Sequence, residues 1–321
     1  MKVPLQIAVD LLGGDTSPAE FISFFKDNAS LFSRKVHLKV FIAEESEAVK
    51  TPKLPSNIEI SFLKASQFIH MEDEPAKAVR HKKNSSLVQG IQMLKERKID
   101  GLISTGNTGA LLAASKIYSK TFPDISRPAL LALIPTKKHP IAVLDVGANI
   151  SCKPHQFLEF ANLGTAFQKT LGVEYPKTGL LNIGVEKQKG RNELRQAYLS
   201  LQQMKNFTGN IEGREVFEGN IHVLVTDGFT GNIFLKTAEG VSSFILDQLK
   251  NVSSSELGKI KKELNYNKYP GAIIAGVDGL IIKCHGYSSP HSIFLTLQKM
   301  IALIDQNFLS IYRNNYLSLL N

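Results

Sequence analysis

A chain of 321 residues with 43% hydrophobic and 21% charged residues has the balance of an ordinary globular protein, large enough for one sizeable domain or two smaller ones. Its formal charge of +9 favours anionic partners (phosphates, an acidic protein, nucleic acid or an anionic membrane face) without choosing among them. Two distant cysteines argue against a disulfide scaffold or cysteine-rich zinc site and fit a reducing cytoplasm, and no apolar run approaches the roughly 20 residues needed to cross a bilayer.

The opening MKVPLQIAVD reads as a first strand over 5–10, without the long apolar region and cleavage site of a secretory signal. LLGGD then makes a tight loop, and Ser17 and Pro18 cap and start a helix. Strands are expected at 36–43 and 58–63, with a loop through TPKLPSN between them. One long helix is expected over 75–97, after Pro75. IDGLIST is the next strand, and a helix begins beside Thr108. PALLALIP and PIAVLDVG are two apolar strands, followed by a helix near 155–171. GLLNIG is a short strand, then come a polar loop and a helix near 192–204. IHVLVTD, at 221–227, opens into GFTGN and another helix; GLIIKCHG, at 279–286, is the last strong strand, and the chain from 289 onward is helical in pattern. Apolar strands alternating with helices favour a mostly parallel sheet covered on both faces. The polar stretch 251–269 is the least core-like part and suits a projecting element used in pairing. No linker or repeat divides the chain, so residues 1–321 are expected to form a single domain.

Hydrophobic runs repeatedly end in Gly-Asn or Gly-Asp chemistry: GGD (13–15), GNTGA (106–110), DVGAN (145–149), GN (209–210), DGFTGN (227–232) and KCHG (283–286). Open parallel sheets bind ligands beyond the carboxyl ends of their strands, and neighbouring helix starts present N–H groups and a positive dipole end to anions. In GNTGA, Thr108 either donates to a phosphate oxygen or caps the helix. In DVGAN, Asp145 orients a polar group or caps a turn, while Lys153 offsets phosphate charge or faces solvent. Asp227, Thr230 and Asn232 form a local polar network or a plain turn. The 182–193 loop concentrates Glu186, Lys187, Lys189, Arg191 and Glu193. Arg214 can grip phosphate through two donors, or pair with Glu212, Glu215 or Glu218. Lys283 and His285 share a side of an extended segment and suit an anion or a proton transfer, against ordinary packing of the histidine. There is no Walker A lysine, no dinucleotide fingerprint and no metal motif, so neither cofactor nor metal is expected. The dispersed lysines and the absence of tryptophan do not point to nucleic acid.

In order and spacing these phrases resemble the bacterial phosphate acyltransferase family, the acyl-carrier-protein:phosphate transacylases of phospholipid synthesis. The resemblance runs through AVDLLGGD, MEDEPAKAVRHKKNSS, STGNTGALLAA, RPALLALIPT, LDVGANISCKP, LLNIGVEKQKG, GNIEGR, DGFTGNIFLKTAEG and GLIIKCHG. It implies an α/β fold: a Rossmann-like α/β/α sandwich with a mostly parallel sheet, related to phosphate acetyltransferase and to isocitrate/isopropylmalate dehydrogenases. It also implies a homodimer that converts long-chain acyl-[acyl-carrier-protein] and inorganic phosphate to acyl phosphate and free carrier. The enzyme would be cytoplasmic, or peripheral at the membrane where its product is consumed. Phosphate itself is the nucleophile, so the protein must align it and stabilise the developing oxyanion. The residues assigned are Asn107 and Thr108 for phosphate, Asn149, Lys153, Lys189 and Arg214 around the anionic group, Asp227 and Asn232 as organisers, and Lys283 and His285 beside the reacting group.

The chain departs from the family pattern at Leu11-Leu12, where Ala-Met is usual, at Val185, where the loop usually carries a first glutamate, and at Tyr287 in HGYSS. Two other readings stay open: a noncatalytic protein that binds an acidic carrier or an anionic membrane, and a dehydrogenase on a related sheet.

Overall fold

The structure, a computed structural model, describes residues 3–45, 51–249 and 271–320; the expected projecting stretch 251–269 lies outside them. It contains two compact units, Met1–Phe122 with Pro270–Leu309, and Pro123–Tyr269 with Ser310–Asn321.

The first unit contains β1 (Leu5–Asp10), β2 (Val36–Ala43), β3 (Ile58–Ala65), β4 (Gly101–Ser104), β10 (Ala272–Ala275) and β11 (Ile281–Lys283), in the order β3-β2-β1-β4-β11-β10. Ile7, Ala8 and Val9 of β1 and Leu102 and Ile103 of β4 are fully buried, as expected of central strands with both faces covered. The covering helices include α3 (Ser86–Lys95), which packs on β1 and β4, and α9 (Pro290–Asp305), which packs on β4 and on α1 (Pro18–Asn28). Helix α1 starts as its sequence suggests. Ser17 Oγ accepts from the Glu20 N–H, Glu20 Oε2 accepts from the Ser17 N–H, and Pro18 occupies the first turn.

The single helix expected over 75–97 is two helices, α2 (Pro75–His81) and α3. Its break is encoded in Asn84-Ser85-Ser86: the Ser85 side chain accepts from the Val88 N–H and caps a new helix start. A helix was likewise expected to run on from 289; α9 ends before Asn307, whose φ of 55° suits asparagine, and α10 (Phe308–Leu317) follows.

The second unit has the strand order β5-β6-β9-β7-β8, with β5 (Ala129–Ile134), β6 (Ile141–Leu144), β7 (Thr178–Leu181), β8 (Phe207–Ile211) and β9 (Val223–Val225). Helix α5 (Pro154–Thr170) packs on β6 and β9 and against α6 (Asn192–Leu201). The long α8 (Gly228–Gln248) leaves β9, and the short α7 (Gly213–Val216) follows β8.

The expected sandwich needs correction in that its sheet is mixed: most described pairings are parallel, as expected, but two are not. β5 pairs antiparallel with β6, and β10 with β11. The linking residues 135–140 and 276–280 are too few for a parallel crossover, which takes about a dozen residues or more. Among the described residues, no helix is long and apolar enough to cross a membrane.

Candidate active site

In the first unit, Asp10, Ser104 and Lys283 are register neighbours at the ends of β1, β4 and β11. Asp10 is fully buried, and Ser104 Oγ donates to its Oδ2 at 2.9 Å. Burial pushes the Asp10 carboxyl up to about 6, while the Ser104 hydroxyl, the Leu12 N–H and the Lys283 ammonium hold it from rising further. Lys283 Nζ donates to the Thr105 carbonyl at 3.2 Å and to the Cys284 carbonyl. The buried Thr105 hydroxyl has no hydrogen-bond partner among the described residues.

Helix α4 (Thr108–Tyr118) starts beside this group. Asn107 Oδ1 caps it by accepting from the Ala110 N–H at 3.0 Å. The Asn107 amide nitrogen donates to the carbonyls of His70, Met71 and Asp73 at 3.0–3.2 Å, strapping the acidic 71–75 loop to the helix start. Thr108 is the first helical residue and half-buried. His285 is half-buried and stacks on the exposed Tyr287, with ring centroids 5.0 Å apart.

In the second unit, DVGAN and DGFTGN close on each other. Asp145 is fully buried and accepts from the N–H groups of Leu130, Gly147, Ala148 and Asn149 and from the Asn149 amide at 2.6–3.2 Å. Burial pushes its carboxyl up to about 6 against the pull of those donors. Asn149 also donates to the Pro128 carbonyl, and its own carbonyl accepts from the Gly228 N–H at 2.7 Å. Gly231 must be glycine here, because a Cβ would overlap the Asp145 carbonyl oxygen. Asn232 lies next to Gly147, its Cγ 3.6 Å from where a Gly147 Cβ would stand.

Asp227, 1% exposed, caps α8: Oδ1 accepts from the Thr230 N–H at 2.9 Å, and Oδ2 pairs with Arg191 Nη2. This pair ties the 182–193 loop to the start of α8. Lys189 lies in that loop, its Nζ 3.9 Å from Glu186 Oε1, and the Asn210 amide donates to the Glu186 carbonyl at 2.8 Å. Leu181, Ile183, Leu194, Ile233 and Phe234, with the Arg191–Asp227 pair, line a cavity of about 570 Å³ in this unit.

The expected residues therefore fall into two groups. Asn107, Thr108 and Lys283 stand at neighbouring strand and helix ends in the first unit, and His285 follows two residues after Lys283. Asn149, Asp227 and Asn232 are brought together in the second, with the Lys189 loop joined through Arg191. Lys153 is exposed at the start of α5, and Arg214 is exposed and paired with Glu212 at 3.1 Å. Sequence reasoning gave Asp10 no role, named Arg191 only among the charges of the 182–193 loop, and passed over Thr105. Asp10 carried a signal, a carboxylate closing a wholly apolar strand. Arg191 carried little, standing in a loop crowded with surface charge.

At the departures from the family pattern, Leu11 is buried in the core, Val185 is exposed, and Tyr287 covers one face of His285. Burial pushes the Cys152 thiol up to about 12, helped by the charges of Asp145 and Asp227, so it is no nucleophile at neutral pH.

The family model "Fatty acid synthesis protein" matches residues 5–311. The chain is 42% identical over 306 residues to the phosphate acyltransferase of Chlamydia abortus (strain DSM 27085 / S26/3), covering 94% of this chain and 95% of that protein. Among solved structures, a phosphotransacetylase from Streptococcus pyogenes superposes with a TM-score of 0.59 at 14% identity, covering 93% of this chain and 94% of the other. The 4-hydroxythreonine-4-phosphate dehydrogenase from Klebsiella pneumoniae superposes with a TM-score of 0.50 at 14% identity, covering 94% and 99%. At such identities the superpositions speak for fold alone. They replace the expected isocitrate/isopropylmalate dehydrogenase-like sandwich with a mixed-sheet α/β fold related to phosphotransacetylases and 4-hydroxythreonine-4-phosphate dehydrogenases. By the family match and the extent of its identity to curated relatives, the chain belongs to the phosphate acyltransferase family.

Proposed function

We propose that the acyl donor is a long-chain thioester on acyl carrier protein and the acceptor inorganic phosphate. As a phosphate acyltransferase, the chain moves an acyl group onto phosphate to form an acyl phosphate. One oxygen of hydrogen phosphate attacks the thioester carbonyl. A carbon–oxygen bond forms, the carbon–sulfur bond breaks, and the proton of hydrogen phosphate ends on the departing thiol.

The observation that carries the residue assignment is the Arg191–Asp227 pair at the start of α8. A guanidinium anchored by a buried carboxylate keeps outward N–H donors for an anion. Lys189, Lys153 and Arg214 add mobile positive charge around that anion, while Asn149 and Asn232 shape the two loops beneath it. In the first unit the Thr108 hydroxyl and the N–H groups opening α4 are assigned to phosphate, with Asn107 holding that turn in place. Lys283 and His285 are assigned to the reacting group, Lys283 as a fixed positive charge favouring the oxyanion. The whole of 1–321 is taken to act as one phosphate acyltransferase domain.

The +9 charge suits an acidic carrier and a peripheral position at an anionic membrane face of the cytoplasm. A homodimer is assigned too, and the exposed Phe229, Val241 and Phe244 along α8 offer an apolar face for a second copy.

Incubating the purified protein with acyl-carrier thioester and inorganic phosphate tests the reading. Mass spectrometry should find acyl phosphate, with free carrier appearing in step, and omitting phosphate should abolish both. Release of fatty acid in place of acyl phosphate would overturn it.

A further inference from the structure

The cavity of about 570 Å³ in the second unit changes character along its length. α8 forms one wall, and the residues it contributes fall on successive turns: Asp227 at the cap, then Thr230, Ile233 and Phe234, and finally Thr237. From Asp227 to Thr237 the helix advances about 15 Å at 1.5 Å per residue. One end is polar, with the Arg191 guanidinium held on Asp227. The rest is lined by Leu194 of α6 and by Ile233 and Phe234 of α8. Phe234 packs on Phe217, with ring centroids 5.6 Å apart. Ile183 and Ile233 line the cavity and remain 80% and 51% exposed, so part of its apolar lining is open to solvent. A cavity of this size with one anion-binding end suits an amphiphile with a polar head and a hydrocarbon tail.

We propose that this cavity holds the hydrocarbon tail of the acyl group, with its carbonyl end at Arg191, and that Phe234 and Thr237 set the chain length the enzyme prefers. The assignment rests on the acyl transfer proposed above and names the site of the part of the substrate that does not react. Tail burial enters kcat/KM as binding energy. Each methylene taken into the cavity should raise it about fourfold, and the rise should level off once the cavity is full.

The experiment uses the full chain with carrier thioesters from butanoyl to hexadecanoyl, reading acyl phosphate as its hydroxamate. Thr237→Phe, a change at an exposed position, fills the far end of the cavity. It should lower the hexadecanoyl-to-butanoyl ratio of kcat/KM by roughly tenfold or more, the loss of two or more methylenes of burial. Phe234→Ala should move the plateau to longer chains, and thermal melting reports whether that variant is folded. Tail binding is read separately by titrating fluorescent cis-parinaric acid, which needs no turnover. Wild type should bind it, and Thr237→Phe should weaken the binding by a similar factor.

A ratio unchanged in Thr237→Phe, with unchanged probe affinity, overturns the assignment even if acyl phosphate is made. So does a Thr237→Phe variant whose one change is in oligomeric state, which would make the cavity a contact between copies. Probe binding lost in Thr237→Phe, with no acyl phosphate from any donor, would sink the acyl-transfer reading and leave the tail site standing.

Discussion

Asp227 does two separable jobs, and two substitutions divide them. Its Oδ1 caps α8 through the Thr230 N–H and hydroxyl, at 2.9 and 3.1 Å, while Oδ2 holds Arg191. Asp227→Ala removes both. Losing a helix cap costs about 1 kcal/mol, within a range of about 0.5–2. The Arg191 side chain is 51% exposed, so solvent screening limits the ion pair to about 0.2–1 kcal/mol. The sum of roughly 2 kcal/mol corresponds to a fall of about 4–8 °C in Tm for a unit of this size. Asp227→Asn caps as well as aspartate and should cost under about 1 kcal/mol. The two variants should nonetheless share one kinetic defect, because both release the Arg191 guanidinium. A charge-assisted hydrogen bond weakened by about 1.4 kcal/mol raises the phosphate KM roughly tenfold. The assays are urea unfolding and steady-state acyl phosphate formation at varied phosphate. A wild-type phosphate KM in Asp227→Asn would refute the anchoring role, and equal stability of the two variants would refute the cap.

Gly231→Ala and Gly240→Ala lie on the same helix and should act in opposite directions. A Cβ at Gly231 meets the Asp145 carbonyl and should cost about 1–3 kcal/mol in urea unfolding, whereas nothing lies within 4 Å of a Cβ at Gly240, where alanine should gain about 0.4–1 kcal/mol. Asp10 has its native carboxyl raised from 3.8 to about 6, so between these values the folded state holds a proton that the unfolded chain has lost. Its contribution therefore falls as pH rises through that window, by up to roughly 3 kcal/mol, and Asp10→Asn should gain stability relative to wild type between about pH 4 and pH 6. A constant difference in urea midpoint across that range would contradict this. Cys152 and Cys284 are buried thiols with raised pKa, so iodoacetamide at about pH 8 should leave the folded enzyme unmodified by intact mass. Rapid alkylation with loss of activity would show a reactive cysteine after all.

Strands were legible where burial leaves no choice. IAV in β1 and IAVL in β6 are apolar without interruption because both faces are covered. An apolar run carries no direction, however, and so β5 and β6 read as two more parallel strands. The short Pro-Thr-Lys-Lys-His-Pro link between them was the available clue to a hairpin. β8 went unread because FTGNI is a polar, half-exposed edge with Gly209 at a φ of 107°. The resemblance that identified the activity named one structural kin that the superpositions bear out, phosphate acetyltransferase, and one that they do not, the isocitrate/isopropylmalate dehydrogenases. Motifs report on the chemistry at strand ends, whereas strand direction is decided by link lengths elsewhere.

The same distinction governs the site. Gly-Asn and Gly-Asp phrases do stand at strand ends and helix starts, but residue type alone does not separate a side chain that meets substrate from one that builds the loop. Asn107 spends its amide on three carbonyls of the 70–73 segment and its oxygen on Ala110. Asn149 spends its amide on Pro128 and Asp145. Side chains so occupied free something else: backbone N–H groups at helix starts, and long cations such as Arg191 that need one anchored edge and one open edge. The proposed anion site, built this way, would tolerate changes in its surrounding charges, because its geometry would reside in buried asparagines and aspartates. That gives physical sense to Val185 standing where the family carries a glutamate: the position is exposed, and the neighbouring Glu186 is held by its own carbonyl on Asn210. Val185→Glu should accordingly leave stability within about 0.5 kcal/mol, as for an exposed position, and change the phosphate KM less than Arg191→Ala does. The reverse ranking in steady-state kinetics would place the chemistry in the loop's carboxylates instead of in its anchored guanidinium.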